Sequence, residues 1–112
     1  MSRFLTDYIA MGFSNIVVLQ HEYFEDRDGR ADDELETVVA QKGRAYAKVA
    51  VSRRRYLPYK TSTSLSTDPI TRSEYDELSR DKCRIDTPTA RRDARKAIRR
   101  QRRYAELKPQ RR

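Results

Sequence analysis

The segment that decides the fold runs from Asp32 to Tyr56 and reads DDELETVVAQKGRAYAKVAVSRRRY. Its apolar residues recur at spacings of three and four, which is the pattern of an amphipathic helix. Acidic residues at its start and arginines at its end suit the dipole of one long helix, and Pro58 would end that helix. We therefore predict a helix from Asp32 to Tyr56.

An antiparallel hairpin is the competing structure for the same segment. Its second half shows the alternation of a half-buried strand, at Ala45, Ala47, Val49 and Val51. Gly43 in the middle of a helix would also cost about 1 kcal/mol relative to alanine. The alternative prediction therefore has strands at 34–41 and 44–52 around a turn at Lys42-Gly43.

The N-terminal segment 4–24 also fits two structures. Apolar doublets at helical spacing run along the whole segment, so we predict a helix. The run from Ile16 to Leu19 is rich in β-branched residues and follows Gly12. A short helix that becomes a strand at residue 15 is therefore the alternative.

Two further helices are predicted near the C-terminus from their capping residues. Thr71 and Glu74 have the spacing of a capping box, which predicts a helix over 71–82. Thr87 is a good cap and is followed by proline at the first helical position. This pattern predicts a final helix over 88–107, which ends before the next proline.

These elements together predict a mostly α protein, a small helical domain followed by a basic C-terminal helix. The alternative is an α+β fold with a short antiparallel hairpin in residues 15–52. We expect residues 1–58 to form a packing or docking module and residues 71–112 a basic helical region. The hydroxyl-rich residues 59–70 have little to bury and are predicted to be a linker between them.

The charge of the chain is divided unevenly along its length. Residues 1–50 hold six basic and nine acidic side chains, a net charge of −3, whereas residues 51–112 hold nineteen basic and eight acidic side chains, a net charge of +11. An asymmetry of this kind indicates a basic half that meets a polyanion. The 112-residue chain has room for one modest core at most.

The final helix carries the strongest functional signal, because cations cover most of its circumference around a thin stripe of alanines and Ile98. Arginine outnumbers lysine there, and guanidinium groups match phosphate oxygens in a bidentate way. Arginine-rich helices that order on contact are one way to recognise folded RNA. We predict nucleic-acid contacts by Arg91, Arg92, Arg95, Lys96, Arg99, Arg100, Arg102 and Arg103.

A second basic site is predicted at Arg53, Arg54, Arg55 and Tyr56, where cations beside an aromatic ring suit phosphate contact and base stacking. The structural alternative is the end of a helix, where cations favour the helix dipole and the tyrosine packs beneath the linker.

Catalysis, metals and cofactors are not expected. Cys83 and His21 are the only residues of their types, so the chain alone cannot build a zinc site of Cys and His ligands, and no glycine-rich phosphate loop or nucleophile motif is present. A single cysteine is typical of an intracellular, reducing compartment, such as the cytoplasm, an organelle or a virus particle. The N-terminus is not expected to be a signal peptide, and the final helix has too small an apolar face to insert into a membrane.

We predict a non-enzymatic nucleic-acid-binding protein that favours RNA over DNA, such as a component of a ribonucleoprotein. One alternative is a small structural or assembly subunit of a virus particle or large complex, with a protein partner or a second copy bound through residues 4–51. Another is a regulatory inhibitor whose acidic segment, residues 25–36, mimics phosphates.

Overall fold

The computed structural model describes residues 2–27, 29–56 and 60–107 and shows an α+β fold. A four-stranded antiparallel sheet with the order β1-β2-β3-β4 lies at its centre. The prediction of a mostly α protein is wrong. The elements in chain order are α1 (Leu5–Ala10), β1 (Ser14–Glu25), β2 (Ala31–Lys42), β3 (Ala45–Tyr56), β4 (Lys60–Ile70), α2 (Arg72–Ser79) and α3 (Pro88–Leu107).

The segment from Asp32 to Tyr56 forms a hairpin rather than the predicted helix. Strands β2 and β3 pair without interruption from Lys42↔Ala45 to Ala31↔Tyr56. Gly43 lies in the turn with φ of +62°, a conformation that glycine adopts at little cost. The period-two alternation prevails because it buries one side of both strands, at Val38, Ala40, Ala47, Val49 and Val51. The hairpin alternative identified the right element, but its strands were too short.

The core lies on the face of the sheet that α1 covers, here called the inner face. Phe4, Leu5, Tyr8 and Ile9 from the N-terminal segment pack there against the valines and alanines of β2 and β3. The predicted helix over 4–24 is wrong beyond Ala10, where the chain turns through Gly12 at φ of +92° and enters β1. The alternative of a helix that becomes a strand near residue 15 describes the segment correctly, because β-branched residues favour the sheet.

Residues 60–70 form the edge strand β4, so the predicted linker is wrong over this range. β4 pairs with β3 along its whole length, from Tyr56↔Lys60 to Tyr46↔Ile70. Apolar periodicity is missing because an edge strand with two solvated faces gains its order from backbone pairing. Pro58, Tyr59 and residues 108–112, which the predicted boundaries also involve, lie outside the described residues.

Two helices complete the fold, and both begin where their caps predict. The Thr71–Glu74 capping box is present, and the Thr87 hydroxyl accepts a hydrogen bond from the Ala90 amide at 3.2 Å. Helix α2 packs on the opposite, outer face of the sheet, where the ring of Tyr75 lies 5.0 Å from that of Tyr46. Helix α3 packs on α1. Within the described ranges, no helix is both long enough and apolar enough to cross a membrane.

Candidate nucleic-acid interface

Among the residues that the structure describes, helix α3 packs on the body of the protein only through its first half. Ala94 is buried against the core, and Ala90 and Ile98 pack beside it. From Arg99 to Glu106 every side chain is exposed. Because a helix rises 1.5 Å per residue, about 12 Å of α3 projects beyond its last core contact.

Asp86, just before α3, fixes the direction in which the helix leaves the body. Its carboxylate is fully buried and accepts hydrogen bonds from the backbone amides of Asn15 and Ile16, at 3.0 and 2.8 Å. Guanidinium groups of Arg84 and Arg91 also donate to it, at 3.3 and 2.8 Å. Arg91 is therefore an internal partner of a buried acid rather than a free cation.

The remaining cations of α3 line the side that faces away from α1. At 100° per residue, most of them fall within a sector of about 120° around the helix axis. The sector extends about 16 Å along that axis. None of these side chains has a carboxylate within 4.0 Å in the described part of the chain. The six cations within this sector are called the α3 cationic face, and Arg100 lies just outside it. They are Arg92, Arg95, Lys96, Arg99, Arg102 and Arg103.

The borders of this face offer further groups to a ligand. A shallow groove on one border lies among the side chains of Pro88, Arg91, Arg92, Arg95 and Arg99. On the other border, Arg100 lies beside the ring of Tyr104, which is 70% exposed. An exposed aromatic ring next to a guanidinium group suits stacking on an unpaired base.

The second predicted basic site is divided between the two faces of the sheet. Arg53 and Arg55 extend from the inner face and form salt bridges with Glu34 and Asp32, at 3.1 and 2.7 Å. Arg54, on the outer face, lies 3.6 Å from a carboxylate oxygen of Asp33, with its guanidinium carbon 5.0 Å from the centre of the Tyr56 ring. Each of these arginines has an acidic neighbour, so the segment does not present a continuous cationic surface.

A row of buried acids explains that pairing. Asp32, Glu34 and Glu36 alternate along β2 on the inner face, and each is at most 9% exposed. Glu34 also contacts His21 at 3.0 Å, and Glu36 accepts a hydrogen bond from the Tyr8 hydroxyl at 2.8 Å. The inhibitor hypothesis predicted that the acids of residues 25–36 mimic phosphates. Three of those acids are buried here and are paired with side chains of the same chain.

The acid row perturbs several pKa values. Burial raises the pKa of the Tyr8 phenol well above its usual range, and the bond to Glu36 adds to the effect. Burial would raise the pKa of Asp32, but hydrogen bonds from Arg55 and Tyr23 outweigh it, so this pKa is lowered. The bond to Asp32 raises the pKa of Arg55.

One sequence signal reveals this pairing once the hairpin is accepted. Asp32 and Arg55 are equally distant from the Gly43-Arg44 turn, and so are Glu34 and Arg53, so the strand register places each acid opposite an arginine. The backbone partners of Asp86 have no comparable signal, because the amides of Asn15 and Ile16 lie far away in the sequence.

The structure thus gathers most of the predicted α3 residues on one face and leaves Arg53, Arg54, Arg55 and Tyr56 apart from them. No known protein family, curated protein or solved structure matches this chain.

Proposed function

We propose that this protein binds nucleic acid through the α3 cationic face, without catalysing a reaction. The observation that carries the proposal is a row of exposed cations on α3, none of them within 4.0 Å of a carboxylate in the described part of the chain, on a helix whose first half packs on the body by its opposite side. Like charges three and four residues apart repel one another by a few tenths of a kcal/mol per pair. A polyanion relieves this repulsion and releases its own counterions on binding.

The dimensions of the cationic face suit a nucleic-acid backbone. A B-form duplex carries one phosphate per roughly 1.7 Å of its axis, so about 16 Å of helix passes about nine phosphates. A helix of about 10–12 Å diameter fits the major groove of B-DNA, whereas the major groove of a regular RNA duplex is too narrow to admit it. RNA with a bulge or loop would accept the projecting end of α3.

We propose RNA of this kind as the preferred ligand, within a ribonucleoprotein. Arginine dominates the cationic face, and guanidinium planes stack on unpaired bases as well as binding phosphate. Tyr104 supplies an exposed ring on the same projecting segment. Unpaired bases occur in RNA loops and bulges, so both features support RNA over duplex DNA.

The test compares two variants that lose the same charge. In the first, Arg95, Arg99 and Arg102 of the cationic face are replaced by glutamine. In the control, three exposed cations without salt bridges in the described chain, Arg44→Gln, Arg80→Gln and Lys82→Gln, are changed instead. Circular dichroism establishes that both variants fold.

Binding is measured by fluorescence anisotropy with a bulged RNA hairpin and a DNA duplex of equal length. At about 1 kcal/mol for each lost contact, the first variant should bind about a hundredfold more weakly, and the control should change by less than about threefold. Equal losses in the two variants would show that net charge alone is responsible and would contradict the proposed site. Tighter binding to the DNA duplex would contradict the preference for RNA.

A further inference from the structure

The sheet has two edges, and the edge formed by β4 is open. One side of β4 pairs with β3, and no other strand lies beside it in the part of the chain that the structure describes. Every residue from Lys60 to Pro69 is exposed. The backbone amides and carbonyls on the free side therefore have no strand partner, and such an edge is a template for pairing with another chain.

The opposite edge, β1, carries features that prevent such pairing. Its register with β2 is interrupted twice, between Ser14 and Val17 and between Val18 and Gln20, and Glu22 and Glu25 place charge along it. Bulges and charges are the usual means of blocking an edge strand. β4 has an unbroken register with β3, and its charged residues, Lys60 and Asp68, and Pro69 stand at the ends of a run at 61–67 that contains no charge, glycine or proline.

We propose that β4 pairs antiparallel with β4 of a second copy of this chain, about a two-fold axis at Ser64. The two four-stranded sheets then form one continuous sheet. Residues 4–51 were predicted to provide the surface for self-association, but most of their apolar side chains lie in the core. The edge strand supplies a surface that needs no apolar patch, because backbone hydrogen bonds provide the contact.

The register follows from charge complementarity. With the axis at Ser64, Lys60 of one copy lies opposite Asp68 of the other, so each dimer contains two such pairs. In the single chain, Asp68 is the cross-strand neighbour of Lys48, and no salt bridge joins them within 4.0 Å among the described residues. In the dimer Asp68 lies between two cations of the same sheet face.

The other face of β4 supports the same register. Thr61 lies opposite Thr67 of the second copy, and Thr63 lies opposite Leu65, which is 38% exposed in the single chain. Pairs of threonines stabilise adjacent strands, and contact with Thr63 removes part of the apolar surface of Leu65 from water. Shifting the axis to Leu65 would place Lys60 opposite Ile70 and remove both ion pairs.

The first experiment tests the register by disulfide trapping. Cys83 is exposed and is first replaced by serine. Ser64→Cys then places two thiols opposite each other across the axis, where Cα atoms about 4.5–5.5 Å apart allow a disulfide. Ser62→Cys is the matched control on the same face, and its two copies would be about 14 Å apart. Under mild oxidation, the first variant should form covalent dimers and the control should not. Equal trapping of both, or of neither, would overturn the proposal.

The second experiment exchanges the charges and measures the dimerisation constant by analytical ultracentrifugation, in buffer without nucleic acid. Lys60→Asp should weaken the dimer about tenfold, because it replaces two attractions with two repulsions. Adding Asp68→Lys should restore most of that loss. Thermal unfolding shows whether each variant stays folded, since Asp68→Lys also places a second lysine opposite Lys48 within the chain. A single variant as strongly dimeric as the original chain, or a double variant no stronger than the single, would contradict the register. A dimer is expected whether or not the α3 cationic face binds nucleic acid.

Discussion

Replacement of Asp86 by alanine should be among the most destabilising single changes in this protein. The substitution removes a fully buried acceptor and leaves the amides of Asn15 and Ile16 and the guanidinium group of Arg91 without their partner. The Arg91 side chain is only 22% exposed, so water replaces the lost contact poorly. Breaking a buried pair of this kind costs about 3–5 kcal/mol. The total free energy of unfolding of a native domain is about 5–15 kcal/mol.

Urea unfolding followed by far-ultraviolet circular dichroism measures this loss. With a slope of about 1.5–2 kcal/mol per molar urea, the midpoint of Asp86→Ala should fall by about 2 M. Hydrogen exchange provides a local measurement, since the amides of Asn15 and Ile16 should exchange faster. Asp93→Ala is the matched control, because Asp93 is exposed and should change stability by less than about 0.5 kcal/mol. A loss below about 1 kcal/mol for Asp86→Ala would refute this account of how α3 is anchored.

Substitutions at three other positions test the sheet and its buried acids. Tyr8→Phe removes the hydrogen bond to buried Glu36 and should cost about 1.5–3 kcal/mol in urea unfolding. Because the pKa of Tyr8 is raised, the folded state keeps a proton that the unfolded chain loses near pH 10. The free energy of unfolding should therefore fall above about pH 10, and it should fall less steeply in Tyr8→Phe. The lowered pKa of Asp32 stabilises the folded state at neutral pH, and this contribution should disappear as the pH falls below about 4. In Asp32→Asn, the melting temperature should therefore fall less steeply with decreasing pH. Gly43→Ala should cost about 1 kcal/mol through backbone strain alone, since the added Cβ meets nothing within 4 Å, and Gly43→Asn should cost less.

Local signals predicted where the last two helices begin, whereas α2 ends at Ser79 and not at the predicted residue 82. The Thr71–Glu74 capping box and the Thr87 cap identify where α2 and α3 begin, because a cap depends on residues three positions apart. The exposed cations of α3 were also visible in the sequence, since one helix determines which residues share a face.

Long-range pairing was harder to predict. The segment from Asp32 to Tyr56 satisfies both a helical and a strand pattern, and the choice depends on β1 and β4, which complete the sheet on either side. β4 itself has no apolar pattern, because its strand structure comes from backbone pairing with β3. The prediction that Arg53 and Arg55 contact nucleic acid did not include their acidic partners. Glu34 and Asp32 lie opposite these arginines only when the hairpin forms.

The most direct test of the central claim is the salt dependence of nucleic-acid binding. On a B-form duplex, the logarithm of the binding constant falls with the logarithm of salt concentration by about 0.9 for each phosphate neutralised. Replacing Arg95, Arg99 and Arg102 with glutamine should therefore reduce the slope by about 2.7. The control at Arg44, Arg80 and Lys82 should retain the original slope. If both variants show the same slope as the unaltered protein, the α3 cationic face does not contact the phosphates.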